Sequence, residues 1–366
     1  MTKLLSVFWI FLLIIFLFCN LSIAASDVRE SMVKIYCVEN TPDYDNPWNM
    51  SGPESYNGSG CVIKGNLILT NAHVVSDQTF LQVRLYGQSK KYTAKVVSVS
   101  HEADLALITV DNPTFFKGIK PIQFGELPNV QDEVIVYGFP EGGDSLSTTI
   151  GVISRIEHQR YAHSLIKLLA AQLDAAINSG NSGGPVIIGD RIVGVVMQSL
   201  EGSENIGYMV PVPVIDHFLV DVEDGHYDGF PQLGIGLQKL ENETLKNIFN
   251  VKNNISGALV NYIFPGTPAA GKIIPGDVII SIDGHDIADD FTVEFRPKER
   301  TNLNYYIQKH QIGENLKLTL LRNGKKHKIN LSLDTAWGNN YLVPSLRYDV
   351  RPTYFIYGGL VFCPLS

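Results

Sequence analysis

This chain is short of positive charge: 29 lysines and arginines stand against 37 aspartates and glutamates, a formal net charge of −8. That sign disfavours nonspecific nucleic-acid binding, which depends on cations neutralising phosphates. Charged residues reach only 18% while hydrophobic ones reach 45%, a balance that suits a folded chain with substantial cores and argues against disorder. Long helical periodicity is also missing, appearing only briefly near Ser164–Ala171 and Pro213–Asp221. From Ser31 to Val212 the pattern is one of alternating and continuous apolar runs separated by turns, which predicts an all-β unit. Nor is there a zinc helix signature, because His101-Glu102-Ala103-Asp104 lacks the second His of H-E-x-x-H. The other histidines, His158, His163, His217, His226, His285, His310 and His327, have packing or surface settings, so neither a metal nor a cofactor is expected.

With 366 residues the expectation is two or three domains. Residues 1–25 read as a separate unit. Lys3 opens it, Leu4 to Phe18 is apolar apart from Ser6, and Ser22-Ile23-Ala24-Ala25 offers small residues for cleavage. A secretory signal peptide and an exported, periplasmic chain are expected. An uncleaved membrane anchor, interrupted by Asn20 and Ser22, and a secreted chain are the alternatives. Losing residues 1–25 removes one basic residue, leaving 28 against 37 and a net charge of −9. Cysteine is scarce, and the mature chain keeps an odd set, Cys37, Cys61 and Cys363. In an oxidising compartment at least one stays unpaired or bridges to another chain. Cys37 and Cys61 are candidates for a disulfide across paired strands, with Cys363 the free thiol.

The most informative stretch is Asn178-Ser179-Gly180-Asn181-Ser182-Gly183-Gly184-Pro185. A serine between glycines on a tight turn can serve as nucleophile, but only with a base and a third group that fixes the base's tautomer. His73, in Thr70-Asn71-Ala72-His73-Val74-Val75, follows the apolar run Leu67-Ile68-Leu69 and falls where a strand ends. Asp104 opens Asp104-Leu105-Ala106-Leu107-Ile108-Thr109-Val110, so its carboxylate is anchored by packed backbone. The order His, Asp, Ser is that of chymotrypsin-like double β-barrels. The N–H groups of Gly180 and Ser182 are the candidate oxyanion donors.

These blocks resemble the HtrA/Deg family of ATP-independent serine proteases. Gly58-Ser59-Gly60, Val136-Tyr137-Gly138-Phe139-Pro140 and Asn205-Ile206-Gly207-Tyr208-Met209-Val210-Pro211 fit it too, and the match covers roughly residues 30–335. The resemblance implies a chymotrypsin-like double β-barrel followed by a PDZ domain of α+β type, mainly β overall. It implies His73 as general base, Asp104 as its orienter, Ser182 as nucleophile, and unfolded proteins as substrates in envelope quality control. A holdase or peptide-binding scaffold with a triad inactive at rest is the rival, since family members can require assembly before the serine turn becomes active. Pocket walls are expected from Gln198, Ser199 and Leu200, which offer no acidic partner to a basic side chain. The resemblance implies aliphatic or small residues on the acyl side of the cleaved bond. It also implies a homo-oligomer, a trimer or multiple of trimers, with Trp48 in the polar excursion Asn40–Asn57 a candidate contact.

The expected boundaries are a protease domain over 26–222, a linker over 223–231, a PDZ domain over 232–335 and a tail over 336–366. Leu233, Gly234, Ile235 and Gly236 resemble the loop that captures a peptide C-terminus. Gly266-Thr267-Pro268-Ala269-Ala270-Gly271 and Pro275–Gly284 extend that likeness. Ile287–Arg300 is longer than the usual PDZ connection and resembles the plant-type Deg branch. Arg351–Phe362 resembles the start of a second PDZ domain, incomplete here. A single strand over Tyr354–Phe362 cannot bury its own apolar face, so it is expected to dock on the first PDZ domain or another subunit, or to mark a truncated chain.

Overall fold

The computed structural model describes residues 27–199, 206–336, 338, 341–343 and 347–365. The leader expected over residues 1–25 lies outside them. Among the described residues no helix is long and apolar enough to cross a membrane. Strands β1 (Met32–Glu39), β2 (Glu54–Ile63), β3 (Leu67–Thr70), β4 (Gln78–Leu85), β5 (Tyr92–Ser100) and β6 (Leu105–Val110) close in the order β1-β2-β3-β6-β5-β4. Alternation decides which side chains enter this barrel: Leu81, Val83 and Leu85 of β4 are buried while Gln82 and Arg84 between them are partly exposed. Val33, Ile35, Cys37, Ile68 and Ile108 complete the core from neighbouring strands.

A second barrel follows, from β7 (Gln123–Phe124), β8 (Glu133–Gly138), β9 (Ser147–Arg160), β10 (Lys167–Leu173), β11 (Pro185–Ile188), β12 (Arg191–Ser199) and β13 (Gly207–Pro211). Its order is β11-β8-β9-β10-β13-β12, with β12 returning to β11 and β7 added in parallel on β12. Closure leaves few free edges. Its core also takes in Met32, Cys61, Leu69 and Leu105 from the first barrel, so one apolar layer joins the two. Helix α1 (Val212–Asp221) closes the unit where the sequence predicts a helix. The other helical stretch, Ser164–Ala171, is corrected: most of it lies in β10, with Leu168 opposite Gln159 and Ala170 opposite Glu157. Both faces of β10 are buried, so the run shows no period-two signal.

The next unit contains β14 (Ile235–Gln238), α2 (Glu243–Ile248), β15 (Ala258–Ile263), β16 (Val278–Ile282), β17 (His285–Asp286), β18 (Thr292–Arg296), β19 (Glu299–Asn302), α3 (Asn304–Gln308), β20 (Asn315–Arg322) and β21 (Lys325–Ser332). The sheet runs β14-β15-β16-β20-β21, which leaves β14 on an edge. The long Ile287–Arg300 segment supplies the β18–β19 hairpin that meets the second barrel. Arg296 donates to the Pro128 carbonyl at 2.8 Å. The His158 ring on β9 lies 2.8 Å from Thr301 Oγ1 and 3.1 Å from Gln308 Oε1. Burial, the main cause, pushes His158 down to about 4, so a neutral imidazole holds this junction.

The tail is not a single strand. β22 (Phe355–Tyr357) and β23 (Leu360–Phe362) form a hairpin around Gly358 and Gly359, both at positive φ. Pairing satisfies part of the backbone, while the side chains of Phe355, Tyr357 and Phe362 remain exposed. Trp48, 51% exposed, meets Tyr354 edge-on at 6.0 Å.

The candidate Cys37–Cys61 bridge does not form. Cys37 pairs with Tyr56 and Cys61 with Met32 across the β1–β2 ladder, which puts the two sulfurs some five residues apart, roughly 17 Å at 3.3–3.4 Å per residue, far beyond disulfide reach. Both are free and buried, and burial raises the thiols to about 11 and about 12. A maleimide should therefore label exposed Cys363 in the native protein and reach Cys37 and Cys61 only on unfolding, as read by mass spectrometry of the modified peptides.

Candidate active site

His73 lies in the turn after β3, and Asp104 in the turn that enters β6. Because β3 pairs with β6, with Thr70 opposite Ala106, the two residues are carried to the same end of the first barrel. Asp104 Oδ2 lies 2.7 Å from His73 Nδ1, and Asp104 Oδ1 accepts the His73 backbone N–H at 2.9 Å. Asn71 Nδ2 donates to the Asp104 carbonyl at 2.7 Å. Asp104 has φ +53°, a left-handed conformation that a residue with a Cβ adopts at a cost of about 1–3 kcal/mol when surroundings impose it. It is almost fully buried, whereas the His73 side chain keeps about a third of its surface, 32%, in contact with solvent.

Desolvation is the largest influence on His73 and works against its protonation. The charge and hydrogen bond of Asp104 outweigh it, so the imidazole's affinity for a proton is raised above the ordinary value. Such a pair can accept a proton at Nε2 while its Nδ1–H stays fixed.

The serine turn comes from the second barrel, just before β11. Gly183 has φ +81°, and a Cβ there would stand 2.2 Å from both the Ser59 carbonyl and Thr70 Oγ1, and 3.1 Å from the Asn71 nitrogen. Only glycine allows this approach, which sets the Ser182 turn against the segment leading to His73. Ser59 then pins the turn from the first barrel: its N–H donates to the Ser182 carbonyl at 2.9 Å and its Oγ to the Gly180 carbonyl at 2.6 Å. Ser59 Oγ also accepts the Phe139 N–H at 2.8 Å.

The Ser179 carbonyl accepts the Glu141 N–H at 2.9 Å. In a trans peptide the carbonyl and the following N–H point oppositely, so the Gly180 N–H is turned away from Glu141. Among the described residues neither it nor the Ser182 N–H is spent on a backbone carbonyl. Two donors on one turn are thus available to an oxyanion. No hydrogen bond between His73 and Ser182 Oγ occurs among the described residues.

Gln198 and Ser199 fall on β12, opposite Tyr208 and Gly207, while Leu200 lies outside the described residues. Leu233, Gly234 and Ile235 gather at a second place, a cavity of about 300 Å³ also lined by Phe264, Thr267, Leu303 and Ile307. Gly236 sits on β14 opposite Tyr262. Gly234 has φ +71°, and a Cβ there would collide with the Thr267 side chain at 2.2 Å. Beside the dyad, sequence reasoning missed the cluster of His101, His163, Tyr348 and Asp349. The Tyr348 ring stacks on His163 at 4.0 Å, its hydroxyl donates to the His163 carbonyl at 2.6 Å, and His101 Nε2 lies 3.0 Å from Asp349 Oδ2. Tail and barrel residues about 185 positions apart carry no sequence signal of that meeting. Ser59 had one, its two glycine neighbours.

Comparison with known proteins agrees with this architecture. Residues 58–195 match the family profile described as a trypsin-like peptidase domain, and residues 231–333 and 343–366 match profiles described as PDZ domains. The Arabidopsis thaliana protein "Protease Do-like 4, mitochondrial" is 44% identical over 338 residues, covering 92% of this chain and 65% of its own length. "Putative protease Do-like 13" of the same plant is 40% identical over 345 residues, covering 94% and 70%. "Protease Do-like 2, chloroplastic" is 41% identical, covering 92% and 56%, so the chain spans from just over half to about two thirds of these relatives. Among solved structures, the HtrA-type protease AlgW with a tripeptide superposes with TM-score 0.66 at 22% identity, over 84% of this chain and 95% of that one. The serine endoprotease from Yersinia pestis gives 0.57 at 21% identity, over 84% and 95%. At such identities these likenesses speak for the fold.

Gly183→Ala should separate the two halves of the site. Strain at positive φ and the collision with Ser59 and Thr70 together should cost about 2–4 kcal/mol, visible as a lower Tm, and labelling of Ser182 by a fluorophosphonate should fall at least tenfold.

Proposed function

Because the chain belongs to the Do-like branch of the HtrA/Deg family of trypsin-type serine proteases, we propose that it is an ATP-independent serine endopeptidase acting on unfolded or misfolded proteins. The observation that carries this reading is the Asp104–His73 pair facing a serine turn whose Gly180 and Ser182 N–H groups have no backbone acceptor among the described residues. Ser182 Oγ bonds to the scissile carbonyl carbon as its proton passes to His73 Nε2. Charge collects on the carbonyl oxygen, where the two N–H groups receive it. As the C–N bond breaks, His73 returns the proton to the leaving amine, and water repeats the sequence on the acyl-enzyme. Asp104 remains ionised and stabilises the imidazolium.

The cavity around Gly234 and Ile235 supports recognition of peptide C-termini. β14 is a free sheet edge able to take an extended peptide as a further strand, and the apolar lining suits an aliphatic terminal side chain. Trp48, half exposed, supports a role in homo-oligomer contacts, a trimer or multiple of trimers. Pocket walls over 198–200 without an acidic residue support aliphatic or small acyl-side residues. The apolar leader, and the organelles in the relatives' names, support a compartment reached across a membrane, the periplasm being its bacterial form. One observation favours a second reading, a holdase whose triad assembles only on activation: no hydrogen bond joins His73 to Ser182 Oγ among the described residues.

A fluorophosphonate and a casein-type unfolded substrate decide between these. Turnover and labelling that vanish in Ser182→Ala are expected, whereas absent labelling in every oligomeric state, alongside suppressed client aggregation, establishes the holdase. Asp104→Asn should lower kcat about 10⁴-fold by releasing the tautomer. Gly180→Pro removes one oxyanion donor and cannot adopt the φ of +91° found there, so it should cost at least the roughly 2.7–4 kcal/mol of transition-state stabilisation that one donor supplies. Since the neutral imidazole is the base and Asp104 raises its proton affinity, kcat/KM should fall as pH drops, with its midpoint above the ordinary imidazole value of 6.5. Gly234→Val should weaken binding of a C-terminal peptide by more than tenfold in fluorescence anisotropy, leaving cleavage of a short chromogenic peptide intact.

A further inference from the structure

The turn that presents Asp104 begins at Ser100, and its exposed-looking Glu102 is in fact engaged by the linker. Glu102 Oε2 accepts the Phe230 N–H at 2.9 Å and the Tyr227 hydroxyl at 3.1 Å. The Tyr227 hydroxyl in turn accepts from Ser100 Oγ at 2.6 Å, and Ser100 Oγ accepts the Ala103 N–H at 3.1 Å. The Glu102 carbonyl accepts from Ser164 Oγ at 2.9 Å. Gly229 has φ +94°, and a Cβ there would lie 2.9 Å from Glu102 Oε2, so the linker backbone rests directly on the carboxylate. Burial is the chief cause that pushes Glu102 up to about 7; the Phe230 N–H and Tyr227 lower it and Asp221 raises it.

The same linker residue reaches the PDZ domain. Phe230 is buried and stacks on His217 at 4.0 Å. His217 Nε2 lies 2.9 Å from the His310 carbonyl, and Gln311 Nε2 donates to the His217 carbonyl at 3.1 Å. These two PDZ residues follow α3, whose Ile307 and Gln308 line the peptide cavity.

We propose that Glu102 is a positioning residue: its carboxylate ties the interdomain linker to the turn that presents Asp104, so that linker placement sets the geometry of the His73–Asp104 pair. A left-handed Asp104 persists only where its surroundings over-determine it, and the Ser100–Glu102 bonds are the constraints on its N-terminal side. The inference rests on the protease reading.

The test compares Glu102→Leu, which keeps bulk without acceptors, Glu102→Gln, which keeps an acceptor without charge, and Tyr227→Phe, which removes the hydroxyl's two bonds, to Glu102 and Ser100, and keeps the buried ring. All are made in the full chain, with kcat and KM for a short peptide normalised to fluorophosphonate-titrated sites, and with the low-field proton resonance of His73 Nδ1–H recorded. Glu102→Leu should lower kcat at least tenfold with KM within twofold and displace the resonance. Glu102→Gln should recover kcat to within about threefold, and Tyr227→Phe should lower it two- to fivefold. Unchanged kcat per titrated site with an unmoved resonance in Glu102→Leu, or a loss confined to Tm and to the titratable fraction, overturns the proposal. If Glu102→Leu does not fold, Tyr227→Phe decides, wild-type kcat and resonance overturning it. A wild-type chain that no fluorophosphonate labels fails the protease reading instead, and the resonance still reports whether Glu102 positions the pair.

Discussion

The site depends on one backbone contact between the two barrels. Ser59 of β2 donates its N–H to the Ser182 carbonyl, and Gly183 presses against Thr70 and the Ser59 carbonyl with no room for a side chain. The proposed chemistry follows from that approach: the first barrel holds His73 and Asp104, the second holds Ser182 and the Gly180 and Ser182 N–H groups. Neither barrel carries all of these groups by itself. A shared apolar layer containing Met32, Leu69, Leu105, Val136 and Leu173 keeps the two in register, and its non-directional attraction brings the barrels together while the Ser59 hydrogen bonds fix the alignment.

Much of this was legible in the sequence, for physical reasons that differ by element. The barrel strands with one wet face announce themselves by alternation, as β4 does, and the serine turn by glycines that only a tight approach requires. The His73 and Asp104 turns were readable because apolar runs precede one and follow the other. β10 was not readable, since a strand buried on both faces has no period to distinguish it from a buried helix segment. The Cys37–Cys61 question stayed open for a similar reason: adjacency of strands was legible, but register was not, and register places the thiols five rungs apart. The tail misled because pairing partners separated by two glycines were counted as one strand.

Long-range polar contacts were the least legible. Glu102 to Tyr227 and Phe230, His217 to His310, and Tyr348 to His163 all join residues far apart in the chain whose local sequence is unremarkable. Their role is nonetheless constrained. A buried carboxylate or imidazole without partners costs more than a surface one gains, so such groups hold domains in defined orientations more tightly than apolar contact alone. The PDZ domain is seated on the second barrel through a neutral His158, a His217 stacked on Phe230 and bonded to the His310 carbonyl, and the Arg296 guanidinium.

His73 and its neighbour His163 illustrate how the surroundings set two imidazoles apart. His73 and His163 have ring centres 6.2 Å apart, close enough that charging both would be unfavourable. Burial pushes His163 down to about 4, with Asp104 opposing and His101 and His73 adding to the depression, while His73 is raised by its direct bond to Asp104. Titratable groups pushed apart in this way identify which one carries the proton. Of the two, His73 is the imidazole whose affinity for a proton is raised, as the general-base role proposed for it requires.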